Sequence, residues 1–356
     1  VKARRSPVNG NFVSVRKSRG DRALSPSTSL RVEISEKELQ KQAFTISSMK
    51  VFLTGATGFV GRHMLERLLA DGHAVRAALR GLPGQNARVV AHFQHIGRKD
   101  DFQWVHGDIV EGSRLEEGMQ GCDAVIHLVG IIVEKGTNTF ERVHHLGTRN
   151  VVEAAKRAGI KRFVQMSAMG VRADGVAPYQ TTKWKGEEEV RHSGIPFCIL
   201  RPSLIFGQGD GFVTQMMATM RSAPLFRPVP GDGTPKFRPI SIEDVTTCFA
   251  RALTYESAIN QTVDLGGADE LTLNEVLAEI ARCADVRKPA VHIPIPLMMA
   301  GAGIAQKLLK NPPVTVDQLR MLQEGSTCNI EPMKRVFGVT PRGFAGCGRS
   351  PDVAKH

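Results

Sequence analysis

The sequence lacks any uninterrupted apolar run of the about eighteen residues that a membrane-spanning helix needs. Its longest apolar stretch, Ala290 to Ala305, is broken by Pro294 and Pro296 and contains His292. The six cysteines are scattered, with no C-x-x-C pair and no histidine cluster at ligand spacing. That pattern argues for a reducing compartment and against a structural metal. No repeat of solenoid length is present. The net charge of +12 brings no basic stripe interleaved with aromatics. Residues 1–48 hold ten Lys/Arg against four Asp/Glu, so +6 of the +12 sits there and +6 is spread over the remaining 308 residues. Nucleic acid is therefore not an expected partner.

What is present is ordinary for a soluble globular α/β protein: 42% hydrophobic and 23% charged residues in 356, enough for one large domain with a smaller appendage. Residues 1–31 are rich in Arg, Lys and Ser, with Asp21 their only acid, and cannot build a core. A disordered basic extension is expected to residue 48. It reads either as an organelle-targeting segment, which would place the protein in the mitochondrial matrix, or as a start read too early. The second reading is favoured because Met49 stands directly before the first strand, and it implies a cytoplasmic protein, peripheral at the inner membrane if it is membrane-associated.

The chain is organised around Lys-Val-Phe-Leu-Thr-Gly-Ala-Thr-Gly-Phe-Val-Gly, residues 50–61. Val51 to Leu53 read as a buried parallel strand running into Gly55, Gly58 and Gly61, with Thr57, Phe59 and Val60 in the same turn. An amphipathic helix follows, with Met64, Leu65, Leu68 and Leu69 on one face. Strand, glycine turn and helix form the first half of a dinucleotide-binding βαβ unit, with backbone N–H groups and a helix N-terminus offered to a pyrophosphate. A second strand, Ala74 to Leu79, ends in Arg80, where NAD-specific sites carry an acid for the ribose hydroxyls. Arg62 lies beside the last glycine. Guanidinium groups at both places favour NADP(H) over NAD(H), since they pair with a 2′-phosphate.

Beyond a polar stretch at 81–101, a third strand (Phe102 to Val105) leads to Asp108, placed to meet an adenine amino group, and Ile109, placed to cover the ring. Further strands at 124–129, 162–166 and 197–200 alternate with helices at 139–158 and 179–192. The alternation predicts a Rossmann-type doubly wound parallel sheet over 49–207. A looser region at 208–337 reads as a smaller α/β substrate-side lobe, returning to the core near 240–256, and 338–356 is a tail without periodicity. Thr272 and Glu275 form a capping box for a helix at 272–284. A helix spanning Leu297–Leu309 is expected to pack as a core or lobe element, with a membrane or partner surface as its alternative.

Tyr179 and Lys183 form a Y-x-x-x-K element whose side chains share one helix face. A phenol is a poor acid–base group at neutral pH unless its anion is stabilised, which a neighbouring ammonium does; the same lysine can hold ribose hydroxyls. Ser167, twelve residues upstream at a strand end, can orient a substrate oxygen. In this reading Tyr179 is the general acid/base, Lys183 tunes it and Ser167 positions a small-molecule substrate. His127, His144 and His145 read as packing or surface residues, and Glu187, Glu188 and Glu189 as a solvated charge run.

Together, Thr54 to Gly61, Gly107-Asp108, Gly147-Thr148-Arg149-Asn150, Tyr179 with Lys183, and Leu200-Arg201-Pro202-Ser203 resemble the extended and atypical short-chain dehydrogenase/reductase superfamily, over residues 50 to about 335. Phe59 to Arg62, His127 to Gly130, Pro202 to Asp210 and Pro294 to Pro296 are most similar to the branch holding the nucleotide-binding accessory subunit of respiratory complex I and its bacterial relatives, often grouped as NAD-dependent epimerase/dehydratase proteins. The resemblance implies that Gly55, Gly58, Gly61, Arg62, Arg80 and Asp108 hold the cofactor, with Val129 and Gly130 contributing backbone and Lys183 and Pro202 near the nicotinamide. It implies an NADP(H)-dependent oxidoreductase or epimerase/dehydratase acting on a small molecule, with a link to quinones among its expectations, or else a non-catalytic NADPH-binding subunit at a respiratory membrane complex. His144 stands where many relatives carry Asn, and the loop from Ser167 to Tyr179 is short; both depart from the enzymes' pattern.

Overall fold

The computed structural model describes residues 48–80, 101–309, 312 and 314–344. The basic extension through residue 47, most of the polar stretch at 81–101, and the tail from 345 onward lie outside the described residues. Seven parallel strands make one sheet: β1 (Lys50–Thr54), β2 (Ala74–Leu79), β3 (Phe102–His106), β4 (Ala124–His127), β5 (Arg162–Met166), β6 (Phe197–Pro202) and β7 (Gln261–Leu265). Their spatial order is 3-2-1-4-5-6-7. The expected doubly wound sheet is thus observed, with β1 near its middle and Val51, Phe52 and Leu53 fully buried, as a strand covered on both faces must be.

Each face carries its own core. On one face α1 (Phe59–Ala70), α6 (Ile242–Thr254) and α10 (Glu331–Phe337) pack through Met64, Leu68, Val245, Phe249 and Phe337 onto Val51, Leu53 and Ile126. On the other, α2 (Leu115–Met119), α3 (Gly147–Arg157) and α4 (Pro178–Arg191) cover Phe52, Val125, Phe163 and Ile199. A third cluster joins α5 (Gly211–Ser222) to α7 (Leu273–Cys283) through Met217, Met220, Val276 and Ile280. The capping box holds: Thr272 Oγ1 accepts from the Glu275 N–H at 3.2 Å while Glu275 accepts from the Thr272 N–H at 2.7 Å.

Three expectations are corrected. The helix read at 139–158 begins as a π-helix, Glu141–Leu146, before continuing as α3. Such wide turns concentrate at functional sites because they re-aim side chains. The stretch after Phe337 is not featureless: Val339 and Phe344 are buried, with Phe344 edge-on to Phe206 at 5.0 Å. Finally, α8 (Ile295–Leu308) is not a packed element, since Ala302 is its one buried residue while Leu297 and Leu308 are 65% and 77% exposed.

Gly186 sets the seat of α4. A Cβ there would stand 2.3 Å from the His144 carbonyl oxygen, so the helix meets the π-helix backbone to backbone. Gly301 on α8 has nothing within 4 Å. Gly186→Ala is expected to lower the denaturant midpoint, at a cost of about 1–3 kcal/mol for overpacking. Gly301→Ala should leave the midpoint unchanged or raise it, with a stability gain of up to about 1 kcal/mol, because alanine is the better helix former.

Candidate functional site

All seven strands run the same way, so their carboxyl ends collect the predicted residues along one edge, where α/β sheets bind ligands. After β1, Gly55 is left-handed (φ +78°), and a Cβ on it would lie 3.2 Å from the backbone of Leu128 and Val129. A Cβ at Gly61 would lie 2.0 Å from the Gly55 carbonyl oxygen, so no other residue fits where α1 crosses the turn. Gly58 caps α1 without a side chain, leaving the first helical N–H groups to an outside acceptor. Thr57 lies in the same turn, and Phe59 and Val60 are the first two residues of α1. This bare, glycine-lined cradle fits a pyrophosphate.

Arg62 and Arg80 stand where the sequence puts them, beside the turn and after β2. The Arg62 guanidinium lies against Gly209, while Arg80 Nη1 donates to Asn138 Oδ1 at 3.2 Å on the surface. Two adenine-side expectations change. Asp108 Oδ1 accepts from the N–H groups of Val110 (2.8 Å) and Glu111 (3.4 Å), so one carboxylate oxygen is spent on its own turn. Ile109 is buried in the core, its side chain pressed where a Cβ on Gly147 would be 3.0 Å away, and so cannot lie over a ring. Its carbonyl is taken as well, accepting from Asn150 Nδ2 at 2.8 Å.

The remaining residues converge. A Cβ at Gly130 would be 3.3 Å from Lys183 Nζ and 3.6 Å from His144 Nε2. Lys183 Nζ donates to the Met166 carbonyl at 3.2 Å and stands 5.7 Å from the Tyr179 ring centre. Ser167 is buried and its hydroxyl has no partner among the described residues. An orphaned buried hydroxyl calls for an explanation, and an absent ligand is one. Burial lowers Lys183 to about 8, partly offset by Glu187. Burial pushes the Tyr179 phenol above its ordinary range. Desolvation thus prevails for the phenol and keeps its proton on, while Lys183 can act only on the anion once it forms.

His144 is more than packing. Its Nε2 accepts from the Ile131 N–H at 3.0 Å, so its proton is on Nδ1, facing Thr182 Oγ1 at 3.2 Å. Thr182 in turn donates to the Pro178 carbonyl at 2.7 Å. The ring stacks on Phe140 at 5.4 Å and meets Tyr179 edge-on at 5.2 Å. Burial, with the Lys183 charge second, holds it down at about 2. It is a neutral brace and not a proton carrier. His127 behaves as the packing residue expected: it is held by Thr54 (2.6 Å) and Thr148 (3.3 Å), and burial followed by the Lys183 charge brings it to about 3.

The acidic run at 187–189 was misread in part. Glu187 is fully buried, paired to Arg201 at 2.8 and 2.5 Å and to Arg191 at 2.5 Å. The signal was available: Glu187 is eight residues after Tyr179 and four after Lys183, on the same helix face.

A glycine turn between strand and helix, at the carboxyl edge of a parallel sheet ordered 3-2-1-4-5-6-7, defines a Rossmann-type dinucleotide-binding protein. Residues 51–266 match the NAD dependent epimerase/dehydratase family, and the chain belongs to it. It is 28% identical over 268 residues to a ceramide reductase of Caulobacter vibrioides, covering 74% of this chain and 80% of that one. It is also 28% identical over 262 residues to the mitochondrial NADH dehydrogenase [ubiquinone] 1 alpha subcomplex subunit 9 of Arabidopsis thaliana, covering 73% of this chain and 64% of that subunit. The dTDP-glucose 4,6-dehydratase of Bacillus anthracis, solved with NAD, shares the fold at a TM-score of 0.65 and 16% identity, over 85% of this chain and 94% of that one.

If Lys183 holds ribose hydroxyls as an ammonium, dinucleotide affinity should be full below its lowered value and fall as pH rises through about 8. Titrating NADPH by fluorescence between pH 6.5 and 9.5 tests this, and Lys183→Met should remove the pH dependence along with the affinity.

Proposed function

We propose that the protein is an NADP(H)-dependent oxidoreductase that reduces a carbonyl on a small, largely apolar molecule. The observation that carries this reading is Lys183 Nζ, which lies 5.7 Å from the Tyr179 ring centre and donates to the carbonyl of Met166, the residue before the unpartnered Ser167 hydroxyl. The cradle of Gly55, Gly58 and Gly61 would hold the pyrophosphate. Arg62 and Arg80 would take the 2′-phosphate, the second Asp108 oxygen the adenine, and the Val129 and Gly130 backbone with Pro202 the nicotinamide side. When bound, the nicotinamide supplies hydride. Ser167 would donate a hydrogen bond to the carbonyl oxygen, and Tyr179 would pass its phenolic proton to that oxygen as it becomes a hydroxyl. The phenolate left behind is stabilised by the Lys183 ammonium. A phenol pushed upward by burial stays protonated near neutral pH, which suits donation.

Support for an apolar substrate comes from relatives named for one. Besides the ceramide reductase, they include a farnesyl-dihydroquinoline-oxide ketoreductase of Stigmatella aurantiaca, 31% identical over 195 residues. The exposed apolar residues of α8, Leu297, Ile304 and Leu308, favour such a molecule too.

A second reading is a non-catalytic NADPH-binding accessory protein at a respiratory membrane complex, with Leu297–Leu309 as its peripheral contact. The exposed leucines of that segment favour it, as does the likeness to the Arabidopsis subunit.

Purified protein would be assayed for bound nucleotide by mass and for NADPH consumption with quinones, aldehydes and nucleotide sugars. Tyr179→Phe is expected to lower turnover by about 10²–10⁴-fold, the usual weight of a general acid. Arg62→Ala and Arg80→Ala should each weaken NADPH about tenfold or more while sparing NADH, as loss of a charge-assisted contact implies. NADPH that stays bound and unreacted throughout would favour the accessory reading.

A further inference from the structure

We propose that Glu324, at the last residue of α9 (Val316–Glu324), is a positioning residue for Tyr179; this rests on the oxidoreductase reading above. Tyr179 is the second residue of α4, in the turn where a helix supplies no hydrogen bonds of its own to its N–H groups. Apart from the Gln180 N–H, which donates to the Ala177 carbonyl at 3.0 Å, side chains hold that turn. Gln180 Oε1 accepts from the Ala177 N–H at 3.3 Å, and Gln180 Nε2 donates to the Gly170 carbonyl at 3.2 Å and to Glu324 Oε2 at 2.7 Å. Arg172 Nη1 donates to the same Gly170 carbonyl at 3.1 Å and to Glu324 Oε2 at 3.2 Å, and Arg172 Nη2 pairs with Glu324 Oε1. One carboxylate thus gathers the short loop after Ser167 and the start of the tyrosine helix.

The carboxylate is itself firmly delivered. Gly325 is left-handed (φ +73°), and a Cβ there would stand 2.4 Å from the Lys236 carbonyl oxygen. The Ser326 N–H donates to that oxygen at 2.7 Å, and the Ser326 carbonyl accepts from the Arg238 N–H at 2.9 Å and from Ser203 Oγ at 3.0 Å. Ser203 directly follows Pro202 at the end of β6, so the strand ends carrying Ser167 and Pro202 are tied to the same anchor. Hydrogen bonds to a charged acceptor are the strong ones, and this acceptor joins three chain segments that no local pattern connects. The position of a proton donor to within about 1 Å governs rate by up to about 10²-fold.

The test uses the full chain with NADPH and 9,10-phenanthrenequinone as the carbonyl probe. Glu324→Ala is expected to lower kcat about tenfold or more with NADPH Kd within about twofold of wild type, and amides 168–182 should exchange about tenfold faster while those of β1 and α1 do not change. Glu324→Gln, which keeps an acceptor for Gln180, should restore most of the rate. Arg172→Ala should speed exchange in the same loop. Wild-type kcat and exchange in Glu324→Ala would overturn the proposal, as would a rate loss matched by an equal loss of NADPH affinity. If the wild type leaves NADPH unconsumed, the oxidoreductase reading fails, and the exchange comparison alone decides whether Glu324 holds the turn.

Discussion

The carbonyl oxygen of Gly55 occupies the space a side chain at Gly61 would need, 2.0 Å from the position of its Cβ. That contact brings α1 down onto the turn after β1. Leu128 and Val129 then lie against Gly55 from the other side, so close that a Cβ on Gly55 would stand only 3.2 Å from their backbone. Backbone pressed on backbone has little give, because interiors are packed like crystals. The loop at 128–131 is therefore fixed relative to the glycine turn, and His144 hooks its Ile131 N–H. From His144 the linkage runs through Thr182 to the Pro178 carbonyl at the start of α4. The placement of Tyr179 is thus the far end of a chain of contacts that begins at two glycines.

Electrostatics in this layer require the histidines to be neutral. Two unit charges about 4 Å apart at an effective dielectric constant of about 20 repel by about 4 kcal/mol. His127 and His144 both feel Lys183, and burial keeps both uncharged. Their threonine and backbone partners fix which nitrogen holds the proton: Thr148 Oγ1 donates to the His144 carbonyl at 2.7 Å, so it can only accept from His127 Nε2–H. Lys183 is left to carry the charge on that side. Glu187 one turn below is already committed to Arg201 and Arg191 and offsets the lysine's desolvation only in part.

Much of this was legible in the sequence, for identifiable reasons. The turn at 55–61 and the pairing of Tyr179 with Lys183 depend on spacing within one element, which sequence records directly. The sheet follows from alternation of elements, also a linear property. What failed depends on partners distant in sequence. Glu187 reads as solvated because one of its two arginines, Arg201, is on the next strand, although its helix face and its other partner, Arg191, are local. Ile109 looked free to cover a ring because its cover, Gly147, is on a later helix. His144 seemed an ordinary helix residue because a π-turn leaves no periodic mark. The Glu324 clasp joins positions 144 and 152 residues apart, and nothing local announces it.

The segment Ile295–Leu308 bears on both functional readings at once. It holds Gly301, Gly303 and Pro296, so its intrinsic helical tendency is modest, and it buries little beyond Ala302. Its C-terminal part is tied down by Gln306, whose side chain accepts from the Val316 N–H at 3.0 Å. Most helical stability in proteins comes from burying an apolar face, and here that face is largely uncovered. Exposed apolar surface on this scale marks a place where something apolar is received. An enzyme that takes its substrate from a lipid phase and a subunit seated against a membrane complex would both use such a face. The helix therefore supports an apolar environment for this protein without choosing between them. The choice turns on whether Tyr179 and Ser167 act on a bound molecule, which the helix does not decide.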